Sequence, residues 1–206
     1  MAPPPPVAKR GSGVRVVRAM YDYTAVRSDE LSISEGDLLY VLDASGEWWL
    51  CRSGGRQGLI PFNYVEEHAE TVEHPLHEAA KRGNVELLKE ALEVGLSVNT
   101  LDHSGATPLH WASRGGHDEA VRLLLQRKPV LDVKNKLGDT PLHMAAWGGH
   151  PAVIKTLLEA GAARDLLNNE GQSPYQLAKS RSPEAAALLQ VIHLNHGDVD
   201  SGDESD

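Results

Sequence analysis

Cysteine occurs once in 206 residues, as Cys51. That excludes an internal disulfide and suits a reducing compartment, so a cytoplasmic location is expected. No apolar run approaches the ~20 residues that cross a bilayer. The opening "MAPPPPVAKR" lacks the apolar segment of a secretory signal, and no membrane insertion is expected. Lys9, Arg10, Arg15 and Arg18 precede the first acid, Asp22, but no basic stripe with interleaved aromatics continues beyond them. Nucleic-acid binding is therefore not expected. Phosphate-binding motifs are missing too. There is no Walker A run, and "GSG" at 11–13 is followed by Val16 where a dinucleotide fingerprint needs glycine. Catalysis and a cofactor find no support in the residues, and the chain reads as a non-enzyme.

What is present begins with charge. The net charge is −9, and Asp198, Asp200, Asp203, Glu204 and Asp206 carry five of those charges in a tail with no Lys or Arg. Residues 195–206 are expected to be a disordered acidic tail, and residues 1–13 a disordered proline-rich and basic arm. Ser201, with Glu204 three residues on, fits an acidophilic kinase site as a weak motif. Hydrophobic residues make up 41% and charged residues 24%, the balance of a folded chain, and a monomer is expected.

The strongest internal signal is a repeat. "HPLHEAAKRGN" at 74–84, "TPLHWASRGGH" at 107–117 and "TPLHMAAWGGH" at 140–150 are offset by 33 residues, and "SPYQLAKSRSP" at 173–183 keeps the step in degenerate form. Thr107 and Thr140 are suitable N-caps, and Pro108 and Pro141 fall at the first helical position, where a missing N–H costs nothing. The "GG" pairs at 115–116 and 148–149 offer backbone freedom for a turn between helices. In the second helices Leu88, Val121 and Ile154 align, as do Leu92, Leu125 and Leu158, and this i, i+4 spacing predicts a buried stripe. A 33-residue period carrying T-P-L-H-x-A resembles the ankyrin family over residues 69–194. The resemblance implies an all-α solenoid of about four units, the outer two atypical because each lacks a neighbour on one side.

Residues 14–68 read differently. Short alternating segments, "VRVVRAMYDY", "DLLYVLD" and "WWLCR", are broken by turns at "SEGD", "ASGE" and "SGGRQG", a spacing that predicts a small barrel or sandwich. Within "EWWLC", successive side chains of a strand face opposite ways, so Trp48 and Trp49 cannot both enter one core. Cys51 shares the parity of Trp49 and reads as a core residue rather than a nucleophile. The ordered landmarks Ala19-Met20-Tyr21-Asp22-Tyr23, Asp29-Glu30-Leu31, Trp48-Trp49 and Gly58-Leu59-Ile60-Pro61-Phe62-Asn63-Tyr64-Val65 resemble an SH3 domain. The expected architecture is thus multidomain, a small all-β SH3 barrel followed by an all-α ankyrin-repeat solenoid. That order of parts is similar to the osteoclast-stimulating factor family, which implies signalling that indirectly promotes osteoclast formation and bone resorption.

The SH3 resemblance implies a peptide-binding groove of Tyr21, Tyr23, Trp48, Pro61 and Tyr64, with Asn63 as a donor. It also implies that Asp29 and Glu30 meet an Arg or Lys of the ligand. Such grooves accept polyproline II segments, so proline-rich signalling or cytoskeletal proteins are the expected partners. Leu59 and Phe62 depart from the family's commoner residues. On the repeats, Trp111, Arg114, Met144 and Trp147 make a candidate second surface for an unidentified protein. Packing against a neighbouring unit explains them equally well. His77, His110, His143, His117 and His150 sit at repeat positions and read as structural, holding bonds within each unit. His193 and His196 have no third ligand nearby, so no metal is expected. Two functional classes follow: an adaptor that joins two proteins, and a masking inhibitor whose ankyrin array blocks an enzyme while the SH3 domain targets it.

Overall fold

The computed structural model describes residues 14–190. The arm at 1–13, the tail with Ser201, and the His193/His196 pair lie outside the described residues. The chain divides into two compact units. One runs to Pro75 and includes Lys89–Leu96, and the other comprises Leu76–Leu88 with the residues from Ser97 onward.

In the first unit, alternation in the sequence becomes a sheet. β1 (Arg15–Ala19), β2 (Leu38–Asp43), β3 (Trp48–Ser53), β4 (Arg56–Pro61) and β5 (Ala69–Thr71) pair antiparallel in the order β4-β3-β2-β1-β5. Val17, Leu39, Cys51, Ile60 and Val65 are fully enclosed and form the core with Ala19, Leu31, Ile33, Val41 and Trp49. Burying side chains of this size contributes roughly 1.5–3 kcal/mol each, enough to hold a small sheet that has no covalent staple. Along β3 burial alternates, with Trp49, Cys51 and Ser53 inside and Trp48, Leu50 and Arg52 half-exposed. Burial pushes the Cys51 thiol up to about 12, which keeps it protonated and inert, in line with its reading as a core residue.

The sheet continues past residue 68, where the sequence suggests that the first domain ends. Ala69–Thr71 adds to the free edge of β1, with Val17 opposite Thr71 and Ala19 opposite Ala69. "HAETVE" shows too little alternation to announce a strand. The open edge of β1 imposes it.

The remaining elements are helical: α1 (Phe62–Glu67), then α2 (Pro75–Arg82), α3 (Val85–Glu93), α4 (Pro108–Gly115), α5 (Asp118–Leu125), α6 (Pro141–Gly148), α7 (Pro151–Glu159), α8 (Pro174–Lys179) and α9 (Pro183–Gln190). The N-termini of α4, α6 and α8 follow from the T/S-P pairs. Thr107, Thr140 and Ser173 are extended N-caps, and each helix has proline at its start. At α6 the Thr140 side chain accepts from the His143 amide while the Thr140 amide donates to His143 Nδ1 at 3.2 Å. This is a reciprocal capping box with His in the place of the usual Glu or Gln.

The repeat histidines reach further than their own units. His77, His110 and His143 each donate from Nε2 to a carbonyl of the following unit, on Ala106, Asp139 and Gln172, at 3.0, 3.0 and 3.1 Å. His117 and His150 reach backward, to the carbonyls of Lys81 and Arg114 at 3.1 and 2.9 Å. These imidazoles are structural, as the repeat register suggests: His110 and His143 hold bonds within their own units through Nδ1, and all five also join neighbouring units. The buried stripe follows the i, i+4 expectation in α3, where Leu88 and Leu92 are both buried, and differs from it in α5 and α7. Leu124 and Leu157 are fully buried, whereas Leu125 and Leu158 are half-exposed. The inward direction of α5 and α7 is set by Val121 with Leu124 and by Ile154 with Leu157, an i, i+3 pairing on the same face.

Candidate peptide-binding site

The site grows from the parity of β3. Trp49 enters the core at 9% exposure, so Trp48 stands on the other side, half-exposed, with Pro61 of β4 as its cross-strand neighbour. Pro61 both ends β4 and caps α1, where its fixed φ of −59° suits the entry to a helix. One turn into α1, Tyr64 is aimed back over the sheet. Its hydroxyl donates to the Tyr21 carbonyl, and its ring lies 5.4 Å from that of Tyr23. Tyr21 itself is 61% exposed. Asn63 is exposed on α1. Tyr64 thus contacts both Tyr21 and Tyr23, and Trp48 and Pro61 are cross-strand neighbours.

His68, which the sequence reading passes over, joins the tyrosines. Its ring stacks on Tyr64 at 5.5 Å and meets Tyr21 edge-on at 5.6 Å. A shallow groove lies between Tyr21, Asp22, Tyr64, Glu67 and His68. The signal was its place at the end of α1, one turn after Tyr64, where the side chain returns to the same face.

The acidic pair behaves differently from the expectation. Glu30 is turned inward, with only 3% of its side chain exposed. Its Oε2 accepts from the Val26 amide at 2.7 Å and the Tyr23 hydroxyl at 3.0 Å, and Oε1 accepts from Arg27 Nε at 2.7 Å. The Val26 amide chiefly, then Arg27 and the Tyr23 hydroxyl, hold its carboxyl down to about 2 against the cost of burial. Both of its oxygens are engaged within the loop, so Glu30 organises the loop. Asp29 is the exposed carboxylate, with 57% of its side chain open. Arg27 is the second residue that sequence reasoning missed: its guanidinium carbon lies 4.3 Å from the centre of the Trp48 ring.

On the helical unit, Trp111 and Trp147 take part in a run of cations and rings. Lys81 lies 5.2 Å and Arg114 5.6 Å from the Trp111 ring, and Arg114 and Arg181 each lie 4.8 Å from Trp147. The Trp111 indole N–H donates to Asp102 at 2.7 Å, and Trp147 is 42% exposed. Met144 is 8% exposed and packs inside, so the accessible part of this candidate surface is Trp111, Arg114 and Trp147.

Comparison with known families fits this geometry. Residues 18–62 match the SH3 domain, while residues 57–135 and 130–178 match ankyrin repeats. The chain is an SH3 domain followed by ankyrin repeats. It is similar to osteoclast-stimulating factor 1 of Sus scrofa and of Xenopus laevis, each 48% identical over 108 residues, and to that of Danio rerio, 45% identical. Those matches cover 52% of this chain and 50% of each relative, so the chain spans about half the length of the curated relatives it matches. SH3 domains and ankyrin repeats are protein-interaction modules, and the partners they imply are proteins. Among the described residues no helix is long and apolar enough to cross a membrane.

Proposed function

We infer that the protein is a non-enzymatic adaptor of the cytoplasm. Its SH3 groove takes proline-rich segments while the ankyrin face holds a second protein, so that its function is to bring two proteins together. The relatives' name, osteoclast-stimulating factor, supports placing it in signalling that stimulates osteoclasts. The observation that carries the reading is Trp48, half-exposed beside Pro61 in a chain with four tryptophans, on the face of β3 opposite the core ring of Trp49. A polyproline II segment is already extended, so it covers such a ring with little loss of entropy. Trp48→Ala is expected to weaken a proline-rich peptide by at least tenfold, since covering such a ring is worth roughly 1.5–3 kcal/mol. The same variant keeps its fold, because the core ring is Trp49. Calorimetric titration of the full chain checks the affinity, and circular dichroism checks the fold. An unchanged affinity would remove the groove assignment.

A further inference from the structure

A groove that prefers a basic flank on its ligand must offer that cation an aromatic face and a carboxylate. In this SH3 domain one of the chain's own residues already occupies both. Arg27 lies 4.3 Å from the Trp48 ring centre. It is 2.7 Å from Glu30 Oε1 and 3.7 Å from Asp29 Oδ1. A guanidinium can satisfy ring and carboxylate together, because its flat face stacks while its N–H groups reach sideways. The remaining Glu30 oxygen is held by the Val26 amide and the Tyr23 hydroxyl. Arg27 and Glu30 are three residues apart in one loop, so the pairing forms without ordering any distant segment.

We propose that Arg27 is the resident occupant of the cation position, so that this groove selects proline-rich segments by their prolines and not by a flanking Arg or Lys. The proposal rests on the groove reading above. A ligand cation could enter only by displacing Arg27, which exchanges one stacked, carboxylate-bound guanidinium for another and leaves almost no net gain. Should it stay beside Arg27 instead, it meets a like charge and finds Asp29, already 3.7 Å from Arg27, as the exposed carboxylate of the pair. The ligand class is therefore a proline-rich segment with neutral flanks, recognised through Trp48, Pro61 and the tyrosines.

Three synthetic peptides test this against the full chain: a run of prolines flanked by Gln at both ends, and the same run with Arg at its first or at its last position. Wild-type protein should bind all three with affinities that agree within about twofold. In Arg27→Ala the position is vacated, and one Arg-flanked peptide should gain about five- to tenfold over the Gln-flanked one, the worth of a cation–π contact plus an exposed ion pair. Arg27→Met, which keeps the aliphatic stem over the ring, should show the same gain and guards against a loop disturbed by truncation. For the unmodified chain, affinity for the Arg-flanked peptides should change no more with added salt than affinity for the neutral one. A wild-type preference for Arg of fivefold or more, or no new preference in either variant, overturns the proposal and leaves the groove intact. Absence of binding by any peptide, or binding that survives Trp48→Ala, removes the groove reading and this proposal with it.

Discussion

His143→Ala is expected to lower the stability of the helical unit by about 1–3 kcal/mol, because it takes the partner of the buried Thr140 amide and one of the two donors to the Gln172 carbonyl, which keeps the Asn168 amide. The imidazole is fully buried and holds both of them: the Thr140 amide donates to its Nδ1 at 3.2 Å, and its Nε2 donates to the Gln172 carbonyl at 3.1 Å. Burial lowers its proton affinity, so it is neutral near pH 7, the state in which one nitrogen accepts and the other donates. The chain contains its own control. At the equivalent position of the last unit stands Gln176, whose Oε1 accepts from the Ser173 amide at 2.7 Å. The cap survives there, while the reach to a following unit has no use. His143→Gln should therefore keep the capping bond and lose roughly half of what His143→Ala loses. Because the folded-state proton affinity is depressed, the unfolded chain binds the proton more readily, so stability falls as pH drops below the ordinary histidine value of about 6.5. His143→Ala should flatten that slope. Guanidinium unfolding followed by far-ultraviolet circular dichroism, at neutral and mildly acidic pH, reads each effect. Equal midpoints for wild type and His143→Ala would overturn the assignment.

The ankyrin repeats and the SH3 domain are legible in the residues because each is written in a short-range code. The T-P-L-H register fixes helix starts by local capping, and the parity of "EWWLC" fixes which ring is core. What could not be read depends on partners distant in sequence. Strand β5 exists because β1 has an open edge, and no property of "AET" itself requires it. Leu125 and Leu158 satisfy the helical period as well as Leu124 and Leu157 do. Only packing between successive helices decides which is enclosed. In the candidate site, the family pattern reads Asp29 and Glu30 as equivalent acids, yet their roles separate once the loop closes. Glu30 gains the Val26 amide and the Tyr23 hydroxyl and turns inward, and Asp29 stays out. Arg27 carries no motif, and only its position over Trp48 gives it a role.

The doubled glycines show the same limit and give the second large effect. By sequence they read as turn residues, and Gly116 does end α4 in the left-handed conformation, with φ of 72°. Its second property is space. A Cβ built there would lie 2.5 Å from Nδ1 and 2.9 Å from Cγ of His150, whose ring is held in place by its bond to the Arg114 carbonyl. Gly171 has almost the same backbone, with φ of 73°, and its Cβ would meet open space. Comparing the two alanine variants therefore separates conformational strain from close approach. Gly171→Ala should cost about 1–2 kcal/mol, the penalty of a left-handed alanine. Gly116→Ala carries that penalty and must also displace the His150 ring, which adds roughly 1–3 kcal/mol of overpacking and gives a total near 2–5 kcal/mol. A double-mutant cycle with His150→Ala isolates the second part. In the His150→Ala background, Gly116→Ala should fall back to the cost seen at Gly171. If both glycine variants lose the same stability in the native background, the ring does not depend on that space, and the glycine is there for its backbone alone.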